Sequence, residues 1–225
     1  MLVPLLISAV VGYLLGSLPF GYVVARARGV DIFKAGSGNP GATNVKRVLG
    51  AKAGHTVLVL DFLKGMVAAG WPWVWEATRG PLFGAVQEDA RLHALGPFEV
   101  AMPYCVAGLA AAVIGHTFSI FTGFRGGKGV ATASGGLVVL MTWPLLVGAT
   151  VWCGVFFAWR YVSLASILGT LAVVVTAWVL GLPLALELVA TLVAAWVLLR
   201  HESNIRRLLT GTEHKFTRAR REGDG

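Results

Sequence analysis

Three polar stretches of the chain carry the residue types that bind phosphate and move protons. They cover residues 36–47, 115–132 and 200–213, and each borders an apolar run. Glycine lets backbone N–H groups converge on an anion, and Ser, Thr and Asn side chains add donors. Arginine and lysine attract phosphate, and histidine titrates near neutral pH. These stretches are therefore where we expect the chemistry.

The first stretch combines a glycine-rich segment with an arginine. The guanidinium of Arg47 offers two parallel donors that match a phosphate group. A flexible loop with a topology-setting arginine has a similar composition, and for a generic loop of Gly, Ser and Asn that is the commoner interpretation. Two asparagines, with hydroxyl residues on both sides of Pro40, favour a binding loop over a plain linker. The candidate residues are Gly36, Ser37, Gly38, Asn39, Asn44 and Arg47.

The second stretch contains Gly-Gly-Lys-Gly at 126–129, which resembles a phosphate cradle in composition. It does not match the spacing of the nucleotide-binding P-loop, and no hydroxyl residue immediately follows Lys128, which disfavours nucleotide hydrolysis. A helix beginning near Val130 would point its positive end at a bound phosphate. The alternative is an interfacial loop with a snorkelling lysine, and His116 alone fits a packed polar residue near a helix end. The candidate residues are His116, Gly126, Gly127, Lys128 and Gly129.

The third stretch has a histidine and an asparagine three residues apart. On a helix leaving the membrane, His201 and Asn204 share a face, and His201 is the candidate general base. The alternative is a basic helix lying on anionic lipid, which accounts for the arginines but not for Asn204 or Glu213. Elsewhere, Ser163 and Ser166 share a helical face. They are either residues that begin a helix and pack against its neighbours, or hydroxyls that line a cytoplasmic cavity together with the three stretches.

The composition excludes a soluble domain. Of the 225 residues, 56% are hydrophobic and 13% are charged, and the mean hydropathy is +0.73, whereas soluble domains carry about 25% charged residues. The same values exclude a disordered chain. The net charge of +8 lies in short basic runs between apolar stretches, which is typical of membrane topology signals and not of nucleic-acid binding. Cys105 and Cys153 both fall in apolar segments, so neither a disulfide framework nor a cysteine metal site is expected.

We expect an all-α polytopic membrane bundle, because apolar runs of about 20 residues form helices in a bilayer. Basic loops after the first span, at 125–128, at 160 and in the C-terminal tail indicate the cytoplasmic side. The run between 128 and 160 must then cross an even number of times, which predicts a hairpin of two short helices that break at Thr142-Trp143-Pro144. This gives seven spans with the N-terminus outside and the C-terminus in the cytoplasm; the rival has five, with 130–159 not fully crossing. The expected spans are Leu2–Ala25, Thr56–Trp75, Phe98–Phe118, the hairpin within Val130–Trp159, Ser163–Leu180 and Leu184–Leu199.

Two charged residues lie inside an apolar run. Asp61 and Lys64 are three residues apart, and charge within a membrane is costly unless it is paired or functional. We expect a structural ion pair near the cytoplasmic end of the second span in preference to a catalytic role.

Two phosphate cradles on one predicted membrane face suggest two phosphorylated substrates, at least one carrying lipid. Acyl transfer to a phosphate-bearing alcohol fits. The His-x-x-x-x-Asp motif of one large acyltransferase class is absent, since Phe121 and Arg206 stand where its aspartate would fall. The paired aspartates of metal-dependent alcohol phosphatidyltransferases are also absent, and neither cysteine lies near the motifs, which disfavours a thiolate acyl-enzyme. The alternative is a transporter of organic phosphate anions, but transporter sites lie near the bilayer midplane, often between repeated halves, and this chain has no internal repeat.

The three stretches resemble, in order, the signature motifs of the acyl-phosphate:glycerol-3-phosphate acyltransferases, bacterial membrane enzymes that make lysophosphatidic acid. The matching residues read GSGNPGATN, GGKGVAT and HxxNIxRLLxGTE, and the resemblance covers nearly the whole chain. Ser119 departs from the family pattern, which usually has a proline there. On this pattern the residues lining the active site are Ser37, Arg47, Lys128, Ser166, His201 and Asn204.

The resemblance implies transfer of a fatty acyl group from acyl phosphate to the 1-hydroxyl of glycerol 3-phosphate in phospholipid biosynthesis. His201, Ser37 and Asn204 are the candidate catalytic residues, and the other candidates, including Ser163, Ser166 and Glu213, are expected to bind substrate. Either His201 or the substrate's own phosphate takes the hydroxyl proton. We expect one domain over 1–225 in the bacterial inner membrane, with its site facing the cytoplasm. Substrates and membrane lipid are the expected partners, without cofactor, metal, nucleic acid or obligate protein partner.

Overall fold

The computed structural model describes residues 2–80 and 96–216, and every regular element in these ranges is helical. Besides a short 3-10 helix at Ile120–Thr122, they contain ten α-helices. These are α1 (Leu2–Ser17), α2 (Phe20–Arg26), α3 (Ala42–Leu49), α4 (Ala51–Arg79), α5 (Pro97–Thr117), α6 (Val130–Leu140), α7 (Thr142–Trp159), α8 (Val162–Val179), α9 (Leu184–Arg200) and α10 (Glu202–Leu209).

The helix lengths agree with a membrane protein. In the described ranges, five segments are long and apolar enough to cross a bilayer, and α9 with α10 makes a sixth that bends by 61° between the two helices. Helix α6 has 11 residues and is about 16 Å long, roughly half the thickness of the hydrocarbon core. The expected all-helical membrane fold is confirmed. The five segments are Leu2–Arg26, Ala51–Arg79, Pro97–Thr122, Thr142–Trp159 and Val162–Val179.

The first expected span is interrupted, and the run 130–159 divides into two helices as expected. The first breaks between α1 and α2 at Leu18 and Pro19, and the carbonyl oxygen that the break frees at Leu18 accepts a hydrogen bond from Lys64 Nζ at 2.8 Å. The run 130–159 divides into α6 and α7 at Met141, one residue before the predicted turn. The break is thus close to where it was predicted, but α6 is too short to count among the candidate spans.

Small residues bring the helices into close contact. A Cβ added to Gly12 of α1 would overlap the backbone of Gly108 in α5, and one added to Gly65 of α4 would overlap the backbone of Thr132 in α6. Close backbone approach of this kind is how helices associate where lipid removes the hydrophobic driving force. It fixes α1, α4, α5 and α6 relative to one another and so positions the loops at their ends.

The first polar stretch is only partly a loop. Its second half forms α3, an eight-residue helix that begins at Ala42 and buries Asn44 and Val45. The following α4 begins at Ala51, five residues before the predicted start of the span.

Candidate active site

Lys128 ends the glycine loop between α5 and α6. Gly129 has a φ of 85°, a conformation that favours glycine, and α6 begins at Val130 as predicted. The Lys128 ammonium donates a hydrogen bond to Oδ1 of Asn204, 76 residues further along the chain. This contact brings the second and third polar stretches together.

Glu213 forms hydrogen bonds with the polar groups around the contact between Lys128 and Asn204. Its Oε1 accepts hydrogen bonds from Asn204 Nδ2 at 2.7 Å and from the Ser163 hydroxyl at 2.8 Å, and its Oε2 pairs with Nε of Arg207 at 2.7 Å. Burial raises the pKa of the Glu213 carboxyl, but the hydrogen bonds outweigh burial and leave that pKa below its ordinary value. Glu213 is therefore ionised at neutral pH and holds α8 and α10 together.

His201 lies in the break between α9 and α10 and is buried. Its Nδ1 is 2.7 Å from the carbonyl oxygen of Val197, so we assign the proton to Nδ1, which donates to that carbonyl. Burial, together with the charge of Lys128, lowers the pKa of His201 to about 4. The ring is thus neutral at pH 7, and Nε2 is left as a hydrogen-bond acceptor.

Asn44 organises the first stretch. Its Oδ1 accepts the backbone N–H of Ser37 at 2.9 Å and the Arg47 guanidinium at 3.3 Å, while its Nδ2 donates to two backbone carbonyl oxygens of the loop. Gly36 has a φ of 58°, and a Cβ there would overlap the Asn44 side chain. Asn44 therefore uses its polar atoms to shape the loop and to orient Arg47.

The remaining candidates of the first stretch lie in the same loop. Gly38 has a φ of 69°, and Asn39 Oδ1 accepts the backbone N–H of Gly41 at 2.7 Å. Ser37 is exposed, and its hydroxyl makes no hydrogen bond to any of the described residues. Its hydroxyl is therefore available to a ligand.

The C-terminal segment connects the third stretch to α3. The Lys46 ammonium is 4.4 Å from the centre of the Phe216 ring, and Phe216 N–H donates to the carbonyl oxygen of Arg160 at 2.8 Å. Phe216 thus contacts both the C-terminal end of α3 and the residue that follows α7. Arg47, next to Lys46 in α3, lies close to this contact.

Positive charge is concentrated at this place. Burial lowers the pKa of Lys128 to about 8; Glu213 opposes the shift, whereas Arg207, Arg200 and Arg47 add to it. Lys128 therefore lies within electrostatic range of three arginines and one carboxylate, an arrangement suited to dianionic phosphates.

His116 belongs to a separate buried cluster. Its Nδ1 is 3.6 Å from Asp61 Oδ1, which also accepts from Lys64 Nζ at 2.8 Å, so the predicted ion pair is confirmed. The backbone carbonyl of His116 accepts the N–H of Gly127 at 3.1 Å, and a Cβ on Gly127 would overlap the imidazole ring. His116 therefore lies against the glycine loop, and its role in substrate binding stays a prediction.

The two serines of α8 differ. Ser163 contacts Glu213, whereas Ser166, one turn later, accepts a hydrogen bond from the Trp152 indole of α7 at 3.2 Å. Ser166 is thus engaged in packing between helices.

Sequence reasoning missed Arg200 and Arg207 as parts of the site. Both lie in a basic segment that is typical of a topology signal, and only the position of Glu213 six residues after Arg207 indicated a partner. Across residues 2–80 and 96–216, no group of three or more His, Cys, Asp or Glu side chains is arranged to hold a metal ion.

Comparisons with known proteins cover almost the whole chain. A family model described as glycerol-3-phosphate acyltransferase matches residues 6–211. A glycerol-3-phosphate acyltransferase of Aquifex aeolicus (strain VF5) is 41% identical over 212 residues, covering 94% of this chain and 98% of that protein. One of Endomicrobium trichonymphae is 38% identical over 208 residues, covering 92% and 93%.

Two solved structures are similar in fold. A crystal structure of PlsY (YgiH), an integral membrane glycerol 3-phosphate acyltransferase, in its glycerol 3-phosphate form matches with a TM-score of 0.79 and 39% identity over 95% of this chain and 96% of that one. The lysophosphatidic acid form matches with a TM-score of 0.76 at 39% identity, covering 95% of each chain.

Proposed function

Because the chain belongs to the glycerol-3-phosphate acyltransferase family, we propose that its acyl donor is acyl phosphate and that the three polar stretches form its active site. The chain is an integral membrane enzyme that acylates glycerol 3-phosphate in phospholipid biosynthesis. The contact between Lys128 and Asn204 carries the assignment of the site, because it supports a single basic site that includes the distant second and third stretches. The products are lysophosphatidic acid and inorganic phosphate.

The reaction replaces one acyl–oxygen bond by another. The oxygen of the 1-hydroxyl attacks the carbonyl carbon of acyl phosphate, the bond from that carbon to the phosphate oxygen breaks, and inorganic phosphate departs with the bonding electrons. Phosphate is a good leaving group, so the protein has no need of a strong general acid. Catalysis then rests on holding the two substrates together and on neutralising their charge.

Lys128 and Arg47 provide that neutralisation. Two phosphorylated substrates repel each other, and cations between them reverse the repulsion at short range. Lys128 is fixed by Asn204, and Arg47 is oriented by Asn44. The exposed hydroxyl of Ser37 and the glycine N–H groups of the first stretch add donors for a phosphate.

His201 orients the attacking hydroxyl. Its Nδ1 is engaged with Val197, so Nε2 faces the substrate as an acceptor. Because a pKa of about 4 makes the imidazole a weak base at neutral pH, the hydroxyl proton passes finally to the departing phosphate. Asn204 holds substrate next to Lys128.

The enzyme crosses the inner membrane seven times, with its N-terminus outside and the active site and C-terminus in the cytoplasm. Lys128 precedes α6 and Ser163 follows α7, and both side chains belong to the hydrogen-bonded group around Glu213. This supports a hairpin of α6 and α7 that begins and ends at the same face of the membrane. The chain acts as one domain without an obligate protein partner. Labelling of single cysteines by a membrane-impermeant reagent in intact cells tests this topology: a cysteine at Thr142 should react and one at Thr43 should not, and the opposite pattern contradicts it.

The donor is tested with purified protein and labelled glycerol 3-phosphate. Acyl phosphate should give labelled lysophosphatidic acid together with one inorganic phosphate per product. Acyl-CoA of the same chain length is the control donor and should give none. Equal product from acyl-CoA, or none from acyl phosphate, would contradict the proposed donor.

A further inference from the structure

Arg200 is a partly buried cation that the reaction described above does not use. It is the last residue of α9 and directly precedes His201. Its Nε is buried and has no hydrogen-bond partner. No carboxylate of residues 2–80 and 96–216 forms a salt bridge with its guanidinium.

The neighbouring arginines differ from Arg200 in having partners. Arg206 pairs with Glu202 at 2.8 Å on the exposed face of α10, and Arg207 pairs with Glu213 at 2.7 Å. A guanidinium stays protonated in proteins, and a buried charged donor without an acceptor is unfavourable. Nε itself is enclosed by protein, but Arg200 is only partly buried and the terminal nitrogens of its guanidinium also have no acceptor among residues 2–80 and 96–216, so a ligand can supply one there.

The surroundings of Arg200 are apolar on one side. Its guanidinium carbon is 5.8 Å from the centre of the Phe118 ring, and that ring packs edge-on against Trp196, one turn before Arg200 on α9. Phe118 and the adjacent Leu199 are both exposed, at 39% and 71%. Apolar surface that would face lipid thus lies beside the guanidinium.

The surroundings are strongly basic on the other side. The charge of Arg200 contributes to lowering the pKa of Lys128 and of His201, after burial of each group. Arg200 thus lies between the basic pocket and the apolar surface. An amphipathic anion has a part for each environment, whereas glycerol 3-phosphate is polar throughout and has no apolar part to place beside Phe118.

We infer that Arg200 binds the acyl donor, with its guanidinium donating to an oxygen of the acyl phosphate group while the acyl chain lies along the apolar surface beside Phe118. This assignment rests on the donor proposed above. Arg200 is then a substrate-binding residue that selects the lipid-bearing substrate.

Initial rates with each substrate varied in turn test this role. Arg200→Lys keeps the charge but removes the Nε–H and the planar fork. We expect the KM for acyl phosphate to rise about tenfold or more, because a charge-assisted hydrogen bond is lost. The KM for glycerol 3-phosphate should change by less than about twofold. The matched control is Arg206→Lys on the exposed pair, and it should change neither KM.

A packing role for Arg200 is tested with a second variant. Phe118→Leu removes the aromatic partner and leaves the guanidinium, so its effect on the KM for acyl phosphate should be much smaller than that of Arg200→Lys. An unchanged KM for acyl phosphate, an equal rise in both KM values, or an equal effect of Phe118→Leu overturns the role of Arg200. If Arg200→Lys does not fold, Arg200→Gln is measured with the same criteria. A wild-type protein that makes no product from acyl phosphate overturns the proposed donor as well, whereas an active wild type with an insensitive Arg200 overturns only this inference.

Discussion

Lys128, at the end of the glycine loop, donates a hydrogen bond to Asn204 in the first turn of α10. Asn204 at the same time donates to Glu213, which also accepts from Ser163 of α8. The position of the lysine thus depends on elements that are far apart in the sequence. Changes in any of them should act on the same phosphate-binding charge.

The lowered pKa of Lys128 predicts a loss of substrate affinity above neutral pH. With a pKa of about 8, the amine is mostly protonated at pH 7 and loses its charge as the pH rises through 8, so kcat/KM should fall there. Bound phosphate favours the ammonium, and the fall in kcat should therefore lie at higher pH than the fall in kcat/KM. Initial rates from about pH 6 to about pH 10 measure both.

Lys128→Arg is the control for this pH dependence. Arginine keeps its charge throughout the range, so the variant should lose the fall in kcat/KM near pH 8, whatever its absolute rate. A fall that persists in Lys128→Arg would assign it to another group and contradict the prediction.

His201→Ala should lower kcat by about 100-fold, because the hydroxyl loses the group that orients it. The KM for glycerol 3-phosphate should change much less. Since the pKa of His201 is about 4, protonation of His201 should cause no fall in rate near pH 6.5. His214→Ala replaces an exposed histidine of the same segment and should leave kcat unchanged. Full kcat in His201→Ala would remove His201 from the mechanism.

Much of the fold follows from composition. Long apolar runs and the bilayer's demand for internal hydrogen bonds predicted the helices of Pro97–Thr117 and Val162–Val179 to within a few residues. The break at Pro19 and the helix α3 were not predicted. The break at Pro19 is stabilised by Lys64, 45 residues later in the chain, which donates a hydrogen bond to the carbonyl oxygen of Leu18. Helix α3 is too short and too close to Pro40 and Gly41 for hydrophobic periodicity to indicate it.

The two ion pairs of α10 should differ in their contribution to stability. Glu213→Ala removes a partly buried acceptor from three donors, and we expect the free energy of unfolding to fall by about 2–3 kcal/mol. Glu202→Ala breaks the exposed pair with Arg206, and the expected loss is less than about 1 kcal/mol. Unfolding in mixed detergent micelles compares the two variants. Equal losses would show that Glu213 has no special structural role.

A side chain at Gly127 should weaken substrate binding, because the His116 imidazole occupies the space that a Cβ would need. Gly127→Ala forces the loop or the imidazole to move, at a cost of about 1–3 kcal/mol, so the KM for glycerol 3-phosphate should rise about tenfold. Gly154→Ala is the control, since a Cβ there meets nothing within 4 Å. His116→Ala in the Gly127→Ala background should restore part of the affinity. A double variant no better than Gly127→Ala would contradict this packing relationship.

Residue types identified most of the candidate site, but not its partners. Lys128, Asn204 and Glu213 were predicted and lie together, because glycines, an amide and a carboxylate are unusual at the ends of apolar spans. The contact of His116 with Asp61 on another helix was not predicted, because sequence spacing does not indicate such pairing. Arg207 was overlooked because the sequence does not indicate which arginine of a basic tail forms an ion pair within the site.

The coupling between Lys128 and Asn204 tests most directly whether the second and third stretches act as one site. Values of kcat/KM for glycerol 3-phosphate are needed for the wild type, Lys128→Met, Asn204→Ala and the double variant. If the two residues hold one phosphate group together, the double variant should lose about as much as the more damaged single variant. Losses that multiply, as for independent residues, would contradict a shared site.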